Sequence, residues 1–160
     1  NCTNDAAKNW GEARAGYLNA WIDRWTNIIS KMKEKGYNTA EMEAVVSDAQ
    51  SKLIPALEAI KNAATPGLRK TAMENARHLH LHLWARFEIA RLNSYLKSIE
   101  ANATAAGYGS DVDAIKAKLA EASKLAPSVK RYGPGEFETT WKVIKDATQM
   151  LRELNKKLKK

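Results

Sequence analysis

From Gly67 to Ala106 the chain runs for 40 residues with no proline or glycine after the first position. Nothing in that stretch stops a helix, and at ~1.5 Å per residue a continuous helix would be a rod of about 60 Å. Such a rod outruns one small core. It opens at Thr65-Pro66-Gly67 and closes at Ala106-Gly107. Its second half carries Ile89, Leu92, Leu96, Ile99 and Ala103 at alternating steps of three and four, the seam of a helix packed in a bundle. The N-terminal region repeats that seam with Leu18, Trp21, Trp25, Ile28 and Met32. The two sets align without a gap at an offset of 71, and both run into Gly-Tyr, at Gly36-Tyr37 and Gly107-Tyr108.

The similarity continues with small insertions. After each Gly-Tyr a polar pair (Asn38-Thr39, then Gly109-Ser110) offers a helix N-cap, and acids follow in the first turn. The next seams are Met42, Val46, Ala49, Leu53 and Ile115, Leu119, Ala122, Ala126. Matching turns at Pro66-Gly67 and Pro134-Gly135 then open a third helix, with Met73, Ala76, His80, Leu83 against Trp141, Ile144, Thr148, Leu151. The expectation is an all-α protein of two tandem three-helix units, residues 1–83 and 84–160, sharing one long central helix over about 67–106. A single five-helix bundle is the alternative.

At 160 residues and 44% hydrophobic content the chain can bury one good core or two small ones. No run approaches the roughly 18 apolar residues that a membrane span requires. The first helix is expected to start near Asn4-Asp5 and end at Lys35, the second to run from about Thr39 to Ala63. Pro55 lies inside that second helix, so a kink or break is expected near residues 51–55. Its counterpart stops at Leu125-Ala126-Pro127, and the last helix starts near Glu136 with Phe137, Trp141, Ile144, Leu151 and Leu158 as its inner stripe. Trp21 and Trp25 sit on a seam and read as core, a tryptophan-lined ligand pocket being the alternative.

Arg77-His78-Leu79-His80-Leu81-His82-Leu83-Trp84 is the segment that most looks like a site. On a strand its histidines would share one face; in a helix, the better reading given the flanks, His78 and His82 share a face with Glu74 one turn earlier. Glu74, His78 and His82 are therefore the candidate metal ligands, while His80 turns toward the seam. A purely geometric reading competes with this. The seams Met73-Ala76-His80-Leu83 and Ile89-Leu92-Leu96-Ile99 are out of phase by two residues. The helix must rotate its buried face between them, and Leu79, Leu81, Leu83, Trp84 and Phe87 make it apolar nearly all round.

The net charge is +8, with 15 basic against 9 acidic side chains between Trp84 and Lys160. Lys130, Arg131, Lys142, Lys145, Lys156, Lys157, Lys159 and Lys160 are the residues that would meet a polyanion such as nucleic acid, acidic glycan or an anionic membrane surface. Lysines in a last helical turn also complement the helix dipole. No nucleophile elbow, P-loop or dinucleotide fingerprint occurs. The carboxylate pairs Glu41 with Glu43 and Asp111 with Asp113 fall in first helical turns, where acids offset the N-terminal partial charge. No enzymatic activity and no cofactor are expected.

The chain opens on Asn1, which leads us to expect a product left after removal of a leader, and hence an exported protein. The sequons at Asn1 and Asn102 fit that compartment. A single cysteine, Cys2, excludes an internal disulfide framework.

The segments Lys35-Gly36-Tyr37-Asn38-Thr39-Ala40-Glu41 and Gly107-Tyr108-Gly109-Ser110-Asp111, each closing a seam and restarting a helix, resemble those of secreted or cell-surface helical-repeat proteins of archaea. The resemblance implies a surface location and a structural or interaction role. The continuous connecting helix is also similar to tandem spectrin-type repeats. The functional expectation is a non-enzymatic extracellular rod, spacer or assembly subunit whose partner is itself or another surface protein. The alternatives are a basic coat or packaging protein for nucleic acid or another polyanion, and a metal-binding bundle.

Overall fold

The computed structural model describes residues 4–129 and 134–160. Asn1, Cys2, Lys130 and Arg131, singled out above, lie outside them. Among the described residues the protein is all α: α1 (Asn4–Glu34), α2 (Ala40–Asp48), a π-helical turn (Ala49–Leu53), α3 (Ile54–Asn62), α4 (Pro66–Ala105), α5 (Gly109–Leu125), a 3-10 turn (Ala126–Ser128) and α6 (Glu136–Leu158).

The long helix forms where the sequence places it. Thr65 caps α4 by accepting the Leu68 N–H at 3.2 Å, and Pro66 occupies the first turn, where no backbone donor is needed. The helix ends as α1 ends. At the first turn the Tyr37 N–H reaches the Met32 carbonyl and the Gly36 N–H the Lys33 carbonyl. At the second, Tyr108 reaches Ala103 and Gly107 reaches Thr104, the same bonds 71 residues on. Both are Schellman caps, and both need a residue in the left-handed region: Gly36 has φ 82° and Gly107 φ 89°. Asn38, rather than Thr39, caps α2 with its side chain, its Oδ1 accepting the Ala40 N–H. In the second unit neither Gly109 nor Ser110 takes the N-cap position, which Tyr108 occupies without a side-chain bond.

The helical run continues through Pro55 without a break. The proline has no N–H for the Ser51 carbonyl and its ring crowds the preceding turn; the chain widens into the π-turn Ala49–Leu53 and resumes as α3. The α2–α3 rod then runs antiparallel along α4. Asn38 accepts a hydrogen bond from Ser94, Asp48 pairs with Arg86 at 2.7 Å, and the Ala63 carbonyl receives Arg69. The second unit does the same on the other side. Glu100 pairs with Lys116, and the Val129 carbonyl lies 2.5 Å from His78 Nδ1.

Helices α1 and α6 run parallel to α4. Trp25 stacks on Phe87 with centroids 4.7 Å apart, and Tyr37 meets Tyr95 edge-on farther along. Trp141 packs on Trp84 near the start of α6, whereas Lys157 at its far end reaches Asp111 and lies over the Tyr108 ring. The units therefore do not follow each other end to end. They lie side by side along the middle of α4, which belongs to both.

The two cores make this sharing explicit. Ala76, Leu83, Phe87 and Ala90 join Trp25, Met42 and Leu53 in one; Ala85, Ile89, Leu92, Leu96 and Ala103 join Ile115, Leu119 and Ile144 in the other. At ~100° per residue these two sets of α4 side chains project from opposite faces. This is why the helix is apolar on two opposite sides between His80 and Leu96. A boundary drawn at 83/84 passes through the shared stretch, since Phe87 still serves the first core and Ala85 the second.

The turn glycines yield a direct test. No atom lies within 4 Å of a Cβ built at Gly36 or Gly107, so the cost of Gly36→Ala or Gly107→Ala is conformational alone. Each substitution should destabilise by about 1–2 kcal/mol in urea unfolding, and the pair should be additive.

Candidate functional site

With two opposite faces of α4 taken by cores, its two edges remain. One edge, carrying Glu88, Arg91 and Tyr95, meets α6 in a cleft of about 780 Å³, with Tyr37 at its border. Helix α6 supplies the far wall as a file at steps of four and three: Trp141, Lys145, Thr148, Arg152 and Asn155. Leu92, Ile144 and Leu151 reach its floor. Trp141 marks one end. The sequence pattern assigns it to the inner stripe, but it is 39% exposed, because the buried face of α6 is centred on Val143, Ile144, Ala147, Leu151 and Leu154 and the indole falls beside it. Its inner edge rests on Trp84, which Phe137 also contacts.

The cleft carries Arg91, Lys145 and Arg152 against Glu88 and Asp146. Burial pushes the Glu88 carboxyl above its ordinary range, with Arg91 and Arg24 acting against the shift. The Arg91 guanidinium lies over the Tyr95 ring, 5.8 Å from its centroid.

Elsewhere on the described surface several acids and bases are paired: Lys33 with Glu43, Lys97 with Glu41, Arg86 and Lys52 with Asp48, Lys116 with Glu100 and Lys157 with Asp111. Of the first-turn carboxylates, Glu41, Glu43 and Asp111 thus serve as ion-pair partners. No such pair among the described residues engages Lys142, Lys145, Arg152, Lys156 or Lys159. Of the expected polyanion set, Lys142, Lys145, Lys156, Lys159 and Lys160 are exposed at or near α6, and Lys157 is held in the second unit. Arg91, Arg152, Glu88, Tyr37 and Tyr95 were not legible as a group. They come from separate elements, and only the parallel course of α6 and α4 brings them together.

The histidines lie on α4 toward the end of α5. His78 and His82 are stacked with ring centroids 6.5 Å apart. His78 Nδ1 is bonded to the Val129 carbonyl, and His82 to the Ala126 backbone. Both rings thus hold the 3-10 turn that follows α5 against α4. Glu74 is exposed, and no group of three or more potential metal ligands comes together among the described residues. His80 is buried and meets Trp21 edge-on. His82 also borders a smaller hollow of about 480 Å³ on the other edge of α4, beside Arg86 and Asn93. Asn102 is exposed near the end of α4.

Burial is the main influence on His82 and lowers its pKa from the ordinary 6.5, with Arg86, His78 and Lys52 adding to the effect and the Ala126 backbone bond opposing it. The sign follows from proton linkage. Below 6.5 the unfolded chain binds more protons at this residue than the folded one, so its contribution is intact above that value and is lost as pH falls toward the folded-state value. Glu88, raised above 4.5, works in the opposite sense as pH increases. The His82 contribution is therefore read by difference: the urea midpoint of the native protein should fall more between pH ~7.5 and ~5 than that of His82→Gln.

No family model, curated protein or solved structure matches this chain. The fold and the cleft together define an all-helical protein of two three-helix units overlapped on one helix.

Proposed function

We propose that this protein is a non-enzymatic helical interaction module, a spacer or assembly subunit that holds another protein against its surface. The observation that carries this reading is the cleft along α4 and α6. It combines apolar floor residues, the rings of Tyr37, Tyr95 and Trp141, and cationic side chains at the rim. Aromatic and arginine side chains of this kind dominate binding energy at protein interfaces. An extracellular or cell-surface setting goes with it, supported by the sequon at exposed Asn102 and by the resemblance of the two Gly-Tyr turns to those of surface helical proteins.

A second reading is favoured by one specific observation. Lys142, Lys145, Arg152, Lys156 and Lys159 recur along α6 without ion-pair partners among the described residues, an arrangement that attracts polyanions.

Light scattering after size-exclusion chromatography separates these readings, with the protein run alone and with a short DNA duplex. The interaction-module reading predicts no DNA co-elution at about 200 mM salt, whatever occurs at about 50 mM, because phosphate contacts to a simple basic stripe are lost steeply with salt. DNA retained at the higher salt would overturn it in favour of the polyanion binder.

A further inference from the structure

We infer that the cleft between α4 and α6 seats an acidic amphipathic helix of another protein, with apolar side chains against Trp141, Ile144 and Tyr95 and carboxylates against Arg91, Lys145 and Arg152. This rests on the interaction-module reading and names its partner.

The shape of the cleft favours a helix. From Trp141 to Asn155 the wall on α6 extends for about 21 Å at ~1.5 Å per residue, so the site is long rather than round. Its lining on α6 is a file of side chains at steps of four and three, and α4 contributes Glu88, Arg91 and Tyr95 at steps of three and four, with Leu92 beside them. Such files are ridges into which the ridges of a third helix pack. An amphipathic helix in an apolar groove uses anchors at matching intervals.

Charge sets the character of the occupant. Among residues lining the cleft, cations outnumber acids, and Lys145 and Arg152 have no ion-pair partner among the described residues. Outside the cleft, Glu41, Glu43, Asp48, Glu58, Glu100, Asp111 and Glu121 sit in ion pairs with other bases. Within the cleft, Glu88 faces Arg91 and Arg24, and burial disfavours its charged form. Asp146 is the other acid of the lining, so three cations stand against two acids and the excess charge of the cleft is positive. A second copy of this chain, at +8, brings more of the same sign and is a poor occupant. A nucleic-acid strand would use the cations but has no need of the apolar floor.

The test uses three synthetic peptides of about 15 residues, long enough to span the wall as helix. The first carries Leu at i, i+3, i+7 and i+10 with Glu on the flanks; the second replaces each Glu by Gln; the third has the composition of the first, shuffled so that Leu is spread all round. Binding to the full chain is followed by calorimetry and by tryptophan emission. The first peptide should bind most tightly. The double variant Lys145→Glu/Arg152→Glu should weaken it by about tenfold or more, whereas Lys142→Glu/Lys156→Glu, on the same helix but not lining the cleft, should change it by less than about threefold. All four substituted positions are at or near the surface, and an unchanged thermal midpoint verifies folding. Equal binding of the Gln peptide would overturn the acidic assignment while leaving a helix-binding module standing. Equal binding of the shuffled peptide, or equal losses in the two double variants, would mean diffuse attraction to the basic stripe and would overturn both readings. Failure of the first peptide to bind would overturn the inference.

Discussion

Helix α4 has to bury two opposite faces at once, and this requirement organises the molecule. A helix apolar on both sides cannot stand in water, because each exposed leucine or phenylalanine forfeits about 1.5–3 kcal/mol relative to its buried state. One three-helix unit satisfies one face through Leu83, Phe87 and Ala90; the other satisfies the opposite face through Ala85, Ile89, Leu92 and Leu96. Each unit is thus incomplete without a helix that the other also uses. The repeat in sequence becomes an overlap in space, with α1 and α4 as equivalents in register while α4 also closes the first unit.

This overlap creates the surface on which the functional reading rests. When two helical layers occupy opposite sides of a central helix, they leave its two edges partly uncovered. The narrower edge is bridged by Arg86 and Asp48 and bordered by His82. The wider edge opens into the cleft beside α6, where Glu88, Arg91 and Tyr95 are displayed. Such a surface needs no catalytic group to be useful. What it offers is apolar area framed by cations, held on helices whose other faces are fixed in a core.

Much of this fold was legible before the structure. The caps at Thr65, Gly36 and Gly107, the bounds of α4, the perturbation ahead of Pro55 and the end of α5 near Pro127 follow from local backbone chemistry, which is written in the sequence. The change of buried face along α4 was legible too, as a two-residue slip between seams. Its consequence was less so. A phase shift indicates that the buried face turns, but not that both units occupy the same length of helix, which depends on how far α2–α3 and α5 run back along it. For the same reason Arg91 and Arg152, distant in sequence, could not be joined into one cleft. The histidines illustrate the opposite case. Their i, i+4 spacing was visible, but their engagement with the carbonyls beyond α5 depends on where that helix ends against α4.

If α4 is truly common property, loosening one core must loosen the other. Native-state hydrogen exchange on Phe87→Leu examines this most directly, since Phe87 packs on Trp25 in the first core and makes no part of the second. The substitution should cost on the order of 1–2 kcal/mol. The slowest amides of α5 and α6, around Leu119 and Ile144, should lose the same amount of protection as those of α2 and α3. Unchanged protection in α5 and α6, with loss confined to the first unit, would show two independently stable units and contradict the shared-helix description.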